Sequence, residues 1–147
     1  MIIERTYDAE FITQCVIHPQ AWGKITDDGC GSPDLYFPQM SDEIYWVRAG
    51  DYGVFMGCQT NHVSFDVHTI LLPSARGKAV DITIKARDWF FGNSPCKRIT
   101  TKMPEFNQLA LRLALKAGFK VIGVDEKSFQ KNGILYSQTI LGFSKGD

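Results

Sequence analysis

The chain has 147 residues, 44% of them hydrophobic and 22% charged, which is enough apolar content for a real core and too much for a disordered segment. Sixteen basic residues balance sixteen acidic ones, so no bulk charge draws the chain to nucleic acid or to an anionic membrane. No apolar stretch approaches the roughly 18 residues of a membrane span, and four cysteines and three histidines are too scattered for a zinc site.

The start, MIIERTYDAE, carries Glu4 and Arg5 and has no signal-peptide core, so a cytoplasmic protein with reduced thiols is expected. MIIERT reads as a short first strand. Asp8 then suits the N-cap of a helix in DAEFITQCVIH, whose Phe11, Ile12, Cys15 and Val16 fall on one face, with Pro19 ending it. Trp22 to Met40 is rich in Gly, Asp and Pro (TDDGCGSPD) and reads as a loop with at most a short helix.

From Glu43 the texture becomes β-branched and aromatic. EIYWVRAG, YGVFMGCQ and HVSFDVHTILLP predict three consecutive antiparallel strands, separated by turns at Ala49-Gly50-Asp51 and Thr60-Asn61. The period then becomes helical at Ala79, Ile82, Ala86, Trp89 and Phe90, until Gly92-Asn93-Ser94-Pro95 stops it. CKRITTKM predicts a strand. A further helix is expected with Pro104 near its first position, Glu105 in its first turn and an apolar stripe of Phe106, Leu109, Ala110, Leu113, Ala114 and Ala117. Lys116 sits in its last turn and Gly118 ends it. The remainder reads as a hairpin turning near Asn132-Gly133.

The expected order is β-α-(α)-β-β-β-α-β-α-β-β, an α/β chain forming one domain over residues 1–147. The strand-helix-strand crossover after Leu72 should make two strands parallel within an otherwise mostly antiparallel sheet.

Two stretches carry chemistry. In HTILLPSARGKAVDITIK, a strand runs into a basic turn and a helix start, where unpaired N–H groups and the helix dipole favour an anion. The second is PEFNQLALRLALKAGFKVIG, with an asparagine early in a helix, where it adds little propensity. Together with the element order, they resemble the GNAT superfamily of acyl-CoA-dependent N-acetyltransferases. The resemblance rests mainly on residues 63–90 and 104–143. The family's turn, Q/R-x-x-G-x-G/A, binds the pyrophosphate of acetyl-CoA. Here Pro73, Arg76 and Gly77 match a P-x-x-R-G-x-G-x-G reading that departs at Ala79 and Asp81, while Ser74-x-x-Gly77-x-Ala79 matches in a second register. In the first register, Asp81 would stand about 5 Å from a phosphate and repel it by roughly 3 kcal/mol at an effective dielectric near 20. Asn107, Ala110, Gly118 and Phe119 match the family's N-x-x-A-x-x-x-x-x-x-x-GF block, whose asparagine contacts the cofactor's pantetheine arm.

The resemblance implies acetyl-CoA as co-substrate, an amine of a small molecule or protein as acceptor, and a homodimer as in many members that pair through sheets or hairpins. It implies Ile70, Leu71, Leu72, Arg76, Gly77, Lys78, Ala79 and Asn107 as cofactor-binding residues, with a backbone N–H around Ile70 to Leu72 polarising the thioester carbonyl. It points to Tyr136 as a general acid. On the strand itself, Ser64, Asp66, His68, Ile70 and Leu72 share a face, and the imidazole of His68 could accept the amine proton with Asp66 orienting it. Structural roles for His68, Asp66 and Tyr136 are the competing reading. Trp22, Tyr36, Phe37 and Trp46 come from the region that usually forms the acceptor side. The alternative function is a catalytically degenerate GNAT-fold protein used for binding or assembly. Bacteriophage proteins, some labelled head-assembly factors, carry similar VHTILLPSARGKA and FNQLALRLALKAGF segments, and such a protein would work in the host cytoplasm.

Overall fold

Alternation of β-branched and aromatic residues with polar ones builds the strands, and turn chemistry sets their order. The computed structural model describes residues 1–147. Its strands are β1 (Ile3–Arg5), β2 (Ile44–Ala49), β3 (Gly53–Gln59), β4 (Ser64–Leu71), β5 (Arg98–Pro104), β6 (Lys120–Lys131) and β7 (Ile134–Ser144). Its helices are α1 (Ala9–Val16), α2 (Pro19–Ile25), α3 (Ala79–Asn93) and α4 (Gln108–Lys116). The strands form one seven-stranded sheet in the order β1-β2-β3-β4-β5-β7-β6. Every neighbouring pair is antiparallel except β4 and β5, the pair joined through α3. The mixed α/β sheet and its single parallel pair are as expected from the sequence. Asn132 and Gly133, both at positive φ, form the two-residue turn of the β6–β7 hairpin.

Strand alternation divides the interior into two layers. Phe55, Phe65 and Val67 face α3 and α4 in a cluster of 18 buried residues that includes Ile82, Ala86 and Phe90. Val54 and Ile70, one position over, face α1 and α2 with Ile12, Cys15, Val16 and Trp46. Gly57 in β3 lets the layers close, because a Cβ there would collide with the ring of Phe90.

Several local expectations change. Asp8 caps α1 by accepting from the Phe11 N–H (3.1 Å), as expected. Pro19, however, opens a second helix: its missing N–H costs nothing at the first helical position, and His18 Nδ1 caps the turn by accepting from Gln20 N–H (3.1 Å). Pro104 does not start α4. It is the last residue of β5, opposite Gln138, and the ladder continues when Glu105 N–H donates to the Ser137 carbonyl (2.9 Å). Glu105 is therefore outside the helix, where its Oε1 accepts from Ser137 N–H (3.2 Å). The helix starts after Asn107, whose Oδ1 accepts from Ala110 N–H (3.3 Å). Phe106 drops out of the apolar stripe and meets Tyr136 edge-on, with ring centroids 4.9 Å apart. Ala114 and Ala117 are buried, but Leu109 stays exposed and the face narrows. Gly118 ends the helix at φ 96°, with no slack for a side chain against the ring of Phe143.

Candidate functional site

The parallel pairing of β4 and β5 is short. Ser64, Phe65 and Asp66 pair with Arg98, Ile99 and Thr100, and beyond Asp66 the two strands separate. A cavity of about 1110 Å³ opens there, bounded by the ends of both strands, the start of α3, α4, and residues from α2 and the following loop. It joins two walls of different chemistry.

One wall is mostly backbone. Leu72 N–H donates to the Tyr52 carbonyl (2.8 Å), and the Ile70 carbonyl lies against Gly53, so both residues spend their backbone groups on β3. On the other parity, the Val63 carbonyl accepts from Lys97 and Arg98 N–H. Alternation therefore turns the N–H groups of Thr69 and Leu71 toward the side where β5 has diverged. Of the three positions expected to offer a polarising N–H, only Leu71 has the required direction.

The chain next makes a tight turn at Pro73–Ala75 and reaches Gly77 at φ 81°. That left-handed conformation is open to glycine and strained for other residues, while the space around it is empty. Lys78, the N-cap, has no capping side-chain bond; its N–H donates to the Ala75 carbonyl (2.8 Å). The N–H groups of Gly77, Ala79, Val80 and Asp81 find no acceptor in the chain. Arg76, Gly77, Ala79 and Val80 line the cavity, so three of these donors and the positive end of a 15-residue helix border it. One turn on, the buried Thr83 Oγ1 also lines the cavity and has no partner.

Two charged residues of the turn are directed elsewhere. Asp81 is not on the cavity wall; its Oδ2 lies 3.0 Å from Lys85 Nζ, one turn along the exposed side of α3. Lys78 likewise leaves the wall, with Nζ 2.8 Å from the Tyr52 hydroxyl and over its ring. Its side chain is not brought to the other expected cofactor residues, whereas Ile70, Leu71, Leu72, Arg76, Gly77, Ala79 and Asn107 all line the cavity.

The opposite wall is made of side chains. His68 lines it and is the only histidine to do so. Its Nε2 stands 3.5 Å from Asp66 Oδ2, an ion-pair distance rather than a tight hydrogen bond. Trp22 and Tyr36 meet edge-on (5.9 Å between centroids) beside Ile25, Met56 and the buried Trp46. Burial pushes the Tyr36 phenol up to about 12. Phe37, expected in this group, is 78% exposed and outside the cavity. Tyr136 is outside too, packed between Phe106 and its cross-strand partner Phe129.

Several wall residues escaped the sequence reading. Thr83 could have been found as the position one turn after Ala79 on the same helix face. Met56 is the direct partner of His68 across β3–β4 and becomes visible only with the register. Lys102, Phe129 and Gln138 reach the cavity from later strands and carry no local signal.

No family model matches the chain, and no curated protein matches it by sequence. Solved structures do match by shape. A spermidine N-acetyltransferase from Vibrio cholerae, crystallised with CoA and spermine, superposes with a TM-score of 0.77 at 17% identity, over 97% of this chain and 94% of that one. A microcin C7 self-immunity acetyltransferase, crystallised with acetyl-CoA and AMP, gives a TM-score of 0.57 at 22% identity, over 69% of this chain and 59% of that one. At these identities the likeness concerns the fold, and the fold is that of the GNAT acetyltransferases.

Proposed function

We propose that a chain with this fold and this cavity is an acetyl-CoA-dependent N-acetyltransferase whose acceptor is an amine of a small molecule or protein. The observation that carries the reading is the uncapped start of α3. Donors at Gly77, Ala79 and Val80, with Arg76 beside them, face a cavity that Asp81 has left. Such a cluster suits a pyrophosphate, because several N–H groups and the helix dipole act on one anion. The unpartnered Thr83 hydroxyl fits a ligand passing along α3.

Acetyl-CoA, when bound, supplies an acetyl thioester. The chain's residues then have separable tasks. Leu71 N–H would donate to the carbonyl oxygen, held in line by Ile70 and Leu72 through their bonds to β3. Asn107 keeps its Oδ1 on the α4 cap, which leaves its NH₂ group for an amide carbonyl of the pantetheine arm. His68 takes the proton of the incoming ammonium, and Asp66 favours the charged imidazole that results. The amine nitrogen forms the new bond to carbon, the carbon–sulfur bond breaks, and the departing thiolate takes the second proton that the nitrogen sheds in becoming an amide. Lys78 serves from outside the wall, as a positive charge held near the turn by Tyr52.

Pairing of two copies is part of the same reading. β6 is a free edge, and Val121, Ile122 and Val124 on it are exposed, as are Ile134 and Leu135 of β7 nearer the hairpin tip. Sedimentation of a monomer at micromolar concentration would remove that part alone.

The deciding experiment is thermal unfolding with acetyl-CoA. At 100 times its dissociation constant the ligand should add about 2.7 kcal/mol, roughly 5–10 °C in Tm for a chain of this size. No shift at millimolar acetyl-CoA would leave the binding or assembly alternative as the better account.

A further inference from the structure

We infer that the acceptor is a small monoamine with an apolar, aromatic-sized body and no second positive charge, rather than a polyamine; this rests on the acetyl-transfer reading. Charge carries the argument. None of the residues lining the cavity is an aspartate or glutamate, whereas Lys24, Arg76, Arg87, Lys102, Arg112 and Lys116 all contribute to its wall. The last two and Arg76 lie by α4 and the α3 turn, on the side of the phosphate-seeking donors. Lys24 and Lys102 flank the other half, where the acceptor must enter.

A polyamine brings several ammonium groups. One can lose its proton to His68 and react, but the others remain charged and need carboxylates once they leave water. The acids around this half are already engaged: Asp66 stands against His68 (3.5 Å), Asp125 holds Lys102 Nζ at 2.6 Å, Asp27 accepts from Gly29 N–H (2.9 Å) and the Cys30 thiol (3.4 Å), and Asp28 accepts from Asn132 and Gly133 N–H. A second ammonium would meet Lys24 and the closed Lys102–Asp125 pair rather than a free counter-charge. The surface on offer instead is Trp22, Ile25, Tyr36 and Met56, half-buried and apolar, with the edge-on Trp22–Tyr36 pair giving an aromatic wall against which a flat or branched hydrocarbon can pack. Such a wall rewards removal of apolar area from water and gives nothing to a dispersed positive charge.

The test needs binding only. Protein saturated with CoA, which cannot transfer, is titrated with 2-phenylethylamine and with spermidine, by calorimetry and by tryptophan fluorescence, since Trp22 and Trp46 line the site. The expected result is saturable binding of 2-phenylethylamine at least ten-fold tighter than that of spermidine. Lys24→Glu, at an exposed position, should improve spermidine binding about five-fold or more by supplying the missing acid. Spermidine binding as tightly as 2-phenylethylamine, or no saturable 2-phenylethylamine binding while CoA binds normally, overturns this inference and leaves acetyl transfer standing. Failure of CoA itself to bind overturns both.

Discussion

The two walls of the cavity are made of different material. On the α3 side, backbone N–H groups and one positive-φ glycine do the work, all supplied by residues 69–83 in a single strand-turn-helix. On the α2 side, side chains from Trp22, Tyr36, Met56 and His68 meet across four separate segments. A backbone site depends on a local conformation and tolerates changes in many side chains around it. A side-chain site depends on who arrives there, and each residue counts separately. Changes on the first wall should therefore act on cofactor binding, and changes on the second on turnover and acceptor choice.

The largest break in this division should come from Gly77→Glu. A side chain at φ 81° strains the turn by about 1 kcal/mol, and a carboxylate would sit among the anion-seeking donors. The Tm shift with acetyl-CoA should vanish, while the free protein loses only a few degrees. His68→Ala should do the reverse: the shift persists, and kcat falls by roughly 10²-fold or more, the scale of a lost general base. An unchanged kcat would return His68 to a structural role.

Asn107 sharpens the comparison, because it combines a cap with a free amide group. Asn107→Ala should lower stability by about 1 kcal/mol, through loss of the cap, and also weaken acetyl-CoA binding. Asn107→Asp keeps the cap and should restore stability without restoring affinity. If both variants bind acetyl-CoA normally, the residue is only a cap.

Asp81→Asn should change little, a few tenths of a kcal/mol from the lost Lys85 pair and less than about three-fold in acetyl-CoA affinity. Tightening beyond ten-fold would mean that Asp81 faces the phosphate after all.

The smallest effect concerns the anchoring of the side-chain wall. Asp28 accepts from Asn132 and Gly133 N–H at the hairpin tip (2.7 and 3.0 Å), and Lys131 Nζ donates to the Thr26 carbonyl (2.7 Å). Those backbone donors hold the Asp28 carboxyl below the usual carboxylate range. A depressed folded value means that its contribution is intact above the ordinary carboxylate value and is lost as pH falls through the folded one. Local protease sensitivity near residues 26–36 should therefore rise at acid pH before global unfolding, and Asp28→Asn should abolish that pH step. Equal sensitivity in both proteins across that range would separate the loop from the hairpin.

These residues also mark how far the sequence could be read. The strands from Glu43 to Leu72, the α3 periodicity and the Asn132-Gly133 turn were legible because each depends on neighbours within a few positions. Pro19 follows the end of α1 as expected and also opens α2, whereas Pro104 was misjudged because the same ring suits a helix start or a strand end, and only the ladder to β7 decides there. Tyr136 suited the family's position for a general acid, yet a partner ring at Phe106 holds it away from the cavity.

By itself, the sequence determined the element order, the glycine turn before α3 and the asparagine at the head of α4, because backbone conformation and capping are short-range properties. Tertiary structure decided the rest. It chose Leu71 over Ile70 and Leu72 by sheet parity, turned Asp81 onto Lys85, and assembled a cavity wall without a carboxylate from segments tens of residues apart. Charge at a site is a sum over whatever packing brings together, and a neutral chain can therefore close around a cavity whose charged wall residues are all cations.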